Sequence, residues 1–145
     1  MRQSVRRQFL PLLLVASVVT GWGCNTAATS ALTTTTPTAV TTTDVFTGTL
    51  NMNGAASYSF VTQAAGSVVA TLISLGPDSS LSVGISLGTW NGTGCSIQTG
   101  IFNDVAPQGS ILTGNVGGAG TLCVRLYDIG KITDPLAFTV NVVHP

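Results

Sequence analysis

From Asp44 onward, apolar and polar residues alternate with a period of two, and this alternation restricts the chain to a strand-based fold. It is clearest in residues 57–60, 81–87 and 138–142, where every second residue is apolar. Successive side chains of a β-strand point to opposite faces, so each segment reads as a half-buried strand. Further candidate strands, separated by turn residues, cover 45–50, 67–74, 110–116 and 120–127. About seven short strands in this region predict an all-β fold, a small antiparallel β-sandwich over residues 44–145.

The N-terminal segment has the layout of an export signal. Arg2, Arg6 and Arg7 precede an apolar run over residues 9–19, and small residues follow at Gly21 and Gly23. A membrane-spanning helix needs about 20 apolar residues, so this run predicts a signal peptide over residues 1–23 that is removed on export. The alternative is ordinary secretion with cleavage near residues 27–28.

Cys24 follows the apolar run and its small residues directly, and this arrangement resembles the lipobox of bacterial lipoproteins. In that family the cysteine thiol is acylated and the cysteine becomes the mature N-terminus. The resemblance implies a lipid anchor at Cys24 that holds the protein to a membrane. Asn25 stands where retained lipoproteins carry an aspartate, which implies the outer membrane of the cell envelope. A secreted or periplasmic protein is the alternative.

Residues 24–43 are expected to form the lipidated N-terminus and a disordered linker. Ten of the eighteen residues in 26–43 are threonines, with Pro37 among them and no apolar periodicity. Such a segment cannot bury enough apolar surface to offset the entropy of ordering it. We therefore expect a tether that lifts the sandwich away from a membrane surface.

Cys95 and Cys123 remain as an even pair once Cys24 is assigned to a lipid, and an exported protein folds in an oxidising compartment. These two residues are expected to form a disulfide. The bond would close 29 residues, counted inclusively, and stabilise the fold by about 3–4 kcal/mol on the loop-entropy model. Alternation along 120–127 places Cys123 on the outer face of its strand, so the bond should pin residues 95–101 across the outside of one sheet.

The charge balance of the exported part argues against nucleic acid as a partner. Beyond residue 23 the chain has Arg125 and Lys131 against five aspartates, a net charge of −3. No basic surface is left to neutralise phosphates.

The metal-ligating residues are few, and we predict no cofactor. Two cysteines and His144 cannot supply the four ligands of a zinc site. Asp128 and Asp134 flank one loop and are weak calcium candidates; we interpret them instead as making Asx turns and predict no metal site.

Residues 84–88 read Gly-Ile-Ser-Leu-Gly and match the pattern of a nucleophile elbow at Ser86. That elbow needs a strand, a sharp turn and a helix, with a histidine and an acid placed to activate the serine. A loop is expected after Gly88, and the single histidine is the penultimate residue. We therefore interpret Ser86 as an outward-facing strand residue and predict that the protein is not an enzyme; a hydrolase using Ser86 is the less favoured alternative.

Trp90 and Asn91 fall in the loop expected after Gly88 and are candidates for ligand binding. An exposed aromatic ring can stack on a sugar or anchor a protein partner. The structural interpretation, which the sequence favours, is that Trp90 caps the open end of the sandwich core by packing against Phe102.

Segments in a fixed order resemble the bacterial pre-peptidase C-terminal family, a small β-sandwich attached to secreted proteases and other exported proteins. The matching stretches are residues 46–50, 58–61, 66–72, 119–128 and 138–140. The resemblance implies this fold and an extracellular accessory role, and it transfers no activity. We therefore expect a non-enzymatic, lipid-anchored envelope protein with a binding, adhesion or structural role, and a glycan or envelope protein as partner. The alternative is an accessory module that docks onto a separately encoded secreted hydrolase.

Overall fold

The computed structural model describes residues 40–145, in which the chain forms eight β-strands. The strands are β1 (Thr42–Leu50), β2 (Ala55–Thr62), β3 (Gly66–Gly76), β4 (Ser82–Trp90), β5 (Cys95–Pro107), β6 (Ile111–Val116), β7 (Gly120–Tyr127) and β8 (Leu136–His144). The predicted signal peptide, Cys24 and most of the predicted linker lie outside the described residues. Within residues 40–145, no helix is long and apolar enough to cross a membrane.

The strands form two four-stranded antiparallel sheets. Sheet 1 has the order β1-β8-β3-β6, and sheet 2 has the order β2-β7-β4-β5. Apolar residues from both sheets are packed together in one buried core. The predicted all-β fold, a small antiparallel β-sandwich, is confirmed.

The period-two pattern of the sequence determines which face of each strand is buried. In β8 the alternate residues Leu136, Phe138, Val140 and Val142 are buried, and the burial pattern of the strand repeats every second residue. The residues with no exposed surface include Ala70, Leu72, Val83, Ala106, Val124, Leu126, Val140 and Val142. Each apolar stripe faces the opposite sheet, as the alternation predicts.

The strand that the sequence pattern missed is β5. It is an edge strand of sheet 2, and its pairing with β4 shifts register at two places. Extra residues at such irregularities shift the side chains to the other face, so period-two alternation is lost. The predicted start of the loop after Gly88 is also wrong, because β4 continues to Trp90.

The first strand begins slightly earlier than the sequence indicates. Thr42 and Thr43, assigned to the linker from composition, belong to β1 and pair with His144 and Val143. The described domain therefore takes in the last two threonines of the Thr-rich segment.

Candidate functional site

The Gly-x-Ser-x-Gly segment lies in the middle of a strand. Residues 84–88 are part of β4, which runs on to Trp90 without a sharp turn. The Ser86 hydroxyl oxygen is buried and has no hydrogen-bond partner among the described residues. Alternation places Ser86 on the outer face of sheet 2, because its neighbours Ile85 and Leu87 lie in the core.

The only histidine in the chain lies in the other sheet. His144 is the last residue of β8 and continues the row of core residues of that strand. Its Nε2 atom is 3.1 Å from Oδ2 of Asp44, and its ring centroid is 5.0 Å from that of Phe60. The structure therefore does not bring Ser86 and His144 together: one lies on the outer face of sheet 2, the other on the inner face of sheet 1.

Aromatic and charged side chains cover part of the outer face of sheet 2. The Tyr127 ring occupies the position that a side chain at Gly84 would need. The Tyr127 hydroxyl donates a hydrogen bond to Asp104, and the Arg125 guanidinium lies 5.5 Å from the ring centroid. Burial, followed by the hydrogen bond to Asp104, raises the pKa of Tyr127 to about 12.

The structure contains the predicted disulfide between Cys95 and Cys123, with their Cα atoms 5.6 Å apart. These residues belong to β5 and β7, which β4 separates in the sheet. Strands two positions apart normally lie about 9–10 Å from each other. The distance between Cys95 and Cys123 is shorter than this because the start of β5 folds over β4. The Ser96 carbonyl oxygen accordingly occupies the place that a side chain at Gly88 would need. The segment thus crosses the outside of the sheet, as strand alternation predicts.

The candidate binding site at Trp90 combines apolar side chains from two neighbouring strands, β4 and β5. Trp90 shares the outward alternation of Ser86 and is partly exposed. Ile97 and Phe102 pair with Gly88 and Ser86, respectively, and both are exposed. We call Trp90, Ile97, Phe102 and Arg125 the outer-face patch; they lie in three successive cross-strand rows of sheet 2. Neither Trp90 nor Phe102 belongs to the core or to the side chains packed against it, which differs from the capping interpretation that the sequence favours.

Asn91 has a structural position in the turn between β4 and β5. Its side-chain oxygen accepts the backbone N–H groups of Thr93 and Gly94, at 3.0 and 2.8 Å. The Thr93 hydroxyl donates to the same oxygen at 3.1 Å. These bonds hold the turn in the form of an Asx turn, so the oxygen of Asn91 is already engaged.

The two calcium candidates have different surroundings. The Asp128 carboxylate accepts backbone N–H groups from Asn53, Gly130, Lys131 and Ile132. Asp134 accepts a hydrogen bond from the hydroxyl of its neighbour Thr133 at 3.3 Å. In residues 40–145, no cluster of three or more His, Cys, Asp or Glu residues could hold a metal ion. The arrangement of Asp128 is that of an Asx turn, the interpretation favoured from the sequence.

A pocket lies between the sheets at one end of the sandwich, and sequence reasoning missed it. Its volume is about 300 Å³, and its lining comes from β3, β4, β5, β6 and β7 together with the residue after β6. Glycines from separate parts of the chain line it at Gly88, Gly114 and Gly117. A pattern within one strand cannot reveal a space that depends on which strands become neighbours.

Comparison of the chain with models of known protein families and with curated proteins finds no match. The resemblance to the pre-peptidase C-terminal family stays a prediction based on the segments named above. The function is therefore inferred from the geometry of the described residues and from the N-terminal sequence.

Proposed function

We propose that this protein is a non-enzymatic binding module, held at a bacterial envelope surface by a lipid on Cys24. The observation that carries the binding role is the outer-face patch. Three apolar side chains, two of them aromatic, are partly exposed on the outside of sheet 2, and Arg125 lies in the same cross-strand row as Phe102. Exposed aromatic residues on a rigid scaffold are typical of recognition surfaces.

The disulfide gives this patch a fixed geometry. Cys95 pairs with Trp90 across the β4–β5 edge, and its bond to Cys123 ties that edge to β7. Side chains held in place before binding lose less conformational entropy when the partner arrives. A preorganised aromatic surface suits a sugar ring, whose apolar face stacks on Trp90 or Phe102, and Arg125 is placed to donate hydrogen bonds to sugar oxygens.

The anchoring part of the proposal is supported by the export-signal layout and by the lipobox-like position of Cys24. Stable membrane attachment requires more than one acyl chain, which lipoprotein modification supplies. The Thr-rich linker would then separate the sandwich from the bilayer, at the outer membrane on the resemblance given above. Secretion or release into the periplasm is the alternative.

The test joins an identification of the anchor with a binding measurement. Mass spectrometry of the mature N-terminus should find a diacylglyceryl adduct on Cys24. Binding to a glycan array should weaken by at least about tenfold in Trp90→Ala and Phe102→Ala, as expected for side chains at the centre of an interface. Val45→Ala is the matched control, because Val45 is exposed on the outer face of sheet 1.

Two outcomes would contradict the proposal. An unmodified Cys24 in protein purified from native envelope would remove the anchor. Wild-type binding by both aromatic variants would remove the binding role of the patch. Co-purification of a secreted hydrolase in equal amounts would instead favour the accessory-module alternative.

A further inference from the structure

The pocket between the sheets exists because Gly114 stands where a larger side chain would fill it. Gly114 is a buried residue of β6, and a Cβ atom there would lie 3.4 Å from Ile101 and 3.6 Å from Leu87. A larger side chain at Gly114 would extend from that contact into the pocket. Gly88 lines the space with its backbone only, because a side chain there would point to the outer face of sheet 2, against the Ser96 carbonyl.

The walls of the pocket are apolar, and its polar groups are neutral. The apolar lining includes Val68, Leu87, Ile101 and Leu122. The lining residues with polar side chains are Thr89, Gln98 and Asn115, all exposed. Thr89 and Gln98 lie at the mouth, whereas Asn115 alternates with the inward residues Gly114 and Val116 and turns its side chain to the outer face of sheet 1. Among the described residues that line the pocket, none carries a charge.

We propose that this pocket binds an uncharged, largely apolar small molecule with one or two hydrogen-bonding groups. A charged group inside would be desolvated without an opposite charge to pair with, which is strongly unfavourable. A volume of about 300 Å³ is at the lower end of the range for small-molecule sites. The apolar part of the ligand lies against Leu87 and Ile101, and its polar group meets the Thr89 hydroxyl and the Gln98 amide at the mouth.

This site is separate from the outer-face patch. The pocket lies between the two sheets, whereas Trp90 and Phe102 lie on the outside of sheet 2. Binding in the pocket can therefore be lost while binding at the outer-face patch is kept. The pocket proposal thus stands independently of the binding role proposed for the patch.

The experiment uses the neutral fluorophore N-phenylnaphthylamine, whose emission rises in an apolar site, and the full exported chain. We expect saturable binding with one site per chain. Decanol should displace the fluorophore, and decanoate, ionised at about pH 8, should compete at least about tenfold less well. Displacement by decanoate as strong as that by decanol would overturn the assignment of an uncharged ligand.

Two variants locate the binding in the pocket. Gly114→Leu fills the space, and Thr89→Trp blocks the mouth from an exposed position, so each should weaken fluorophore binding by at least about tenfold. Val45→Leu and Phe102→Ala should bind as the wild type does, the second because the patch is elsewhere. Should Gly114→Leu fail to fold, Thr89→Trp decides alone. Wild-type affinity in a folded Thr89→Trp protein, or loss of binding in Phe102→Ala, would overturn the proposal.

Discussion

Oδ2 of Asp128 accepts the backbone N–H of Asn53 at 2.8 Å, although 75 residues separate them in the chain. Oδ1 of the same carboxylate accepts the backbone N–H groups of Gly130, Lys131 and Ile132. The Asp128 N–H in turn donates to the carbonyl of Gly54 at 2.9 Å. The Asp128 side chain therefore links the turn between β1 and β2 to the loop that follows β7.

The first prediction concerns acid stability. Burial raises the pKa of Asp128, but the backbone N–H donors outweigh it and hold the pKa below its usual value. A lowered folded pKa gives a stability contribution that is complete above the unfolded value of about 3.9 and is lost as the pH falls through the folded value. We expect Asp128→Asn to lower the free energy of unfolding by about 1–2 kcal/mol at neutral pH. The free energy of unfolding of this variant should also fall less steeply than that of the wild type as the pH is lowered. Urea denaturation at a series of pH values measures both.

The control for this experiment is Asp134→Asn, because Asp134 bonds only the adjacent Thr133 hydroxyl among the described contacts. Part of the acid dependence should persist in Asp128→Asn, since the side-chain and backbone hydrogen bonds from Ser80 lower the pKa of Asp78. An unchanged pH profile in Asp128→Asn would contradict the role given to this carboxylate.

The second prediction concerns high pH. Burial and the acceptor Asp104 raise the pKa of Tyr127 to about 12 from 10.0. The neutral phenol therefore contributes its full stabilisation at pH values below the pKa of Tyr127 in the unfolded chain. This contribution is lost as the pH rises towards the pKa of Tyr127 in the folded state. Ultraviolet absorbance titration should show a late phenolate transition that is absent in Tyr127→Phe and retained in Tyr58→Phe. Its persistence in Tyr127→Phe would show that the tyrosine was assigned wrongly.

The third prediction concerns the disulfide, whose cysteines are 28 positions apart. Reduction should lower the free energy of unfolding by about 3–4 kcal/mol, because the unfolded chain regains the entropy of an open loop. Denaturation with and without reductant measures this difference. The double variant Cys95→Ala, Cys123→Ala is the control, and reductant should not change its stability. A wild-type protein that is equally stable when reduced would argue against the disulfide as a stabilising element.

The fourth prediction concerns Gly88, where the Ser96 carbonyl occupies the place of a side chain. Gly88→Ala should force the crossing segment away from β4 and destabilise the fold by about 1–3 kcal/mol, as overpacking does elsewhere. Gly118→Ala is the matched control, since no atom lies within 4 Å of a Cβ there. Thermal denaturation should separate the two variants, and equal melting temperatures would be evidence against the crossing.

The fifth prediction concerns Ser86, whose buried hydroxyl has no partner among the described residues. Removing an unsatisfied polar group relieves its desolvation cost, so Ser86→Ala should be neutral or stabilise the protein by up to about 1 kcal/mol. Ser59→Ala, at an exposed strand position, is the control. A fluorophosphonate probe should leave Ser86 unlabelled. If Ser86→Ala removed a measured hydrolytic activity, the hydrolase alternative would replace the binding role.

The parts of the fold that sequence could predict are those in which burial alternates strictly. The β8 alternation from Phe138 to Val142 and the inward row of β7 at Val124 and Leu126 both appear as the pattern indicates. The β5 strand could not be predicted, because its register shifts break the alternation. The turn signal Asn91-Gly92 predicts a loop from Thr89 onward, but β4 continues to Trp90 and the loop begins two residues later than expected.

The candidate site was only partly predictable for a related reason. Alternation alone placed Cys123 on the outer face and led to a crossing disulfide. The pocket and the patch depend on which strands become neighbours, and therefore on contacts between residues far apart in sequence. Gly114 contributes to the pocket only because β6 lies opposite Leu87 of β4, and nothing near Gly114 in the sequence indicates that relationship.

The continuous pairing of β1 with β8, from Thr42 with His144 to Leu50 with Leu136, gives the domain a mechanical property. Hydrogen bonds between antiparallel strands run perpendicular to the strands. Tension applied at Thr42 along the strand axis would load these bonds together in shear, whereas a pull across the sheet would break them in succession. Under such tension, the whole of β1 would have to slide past β8 before the core opened.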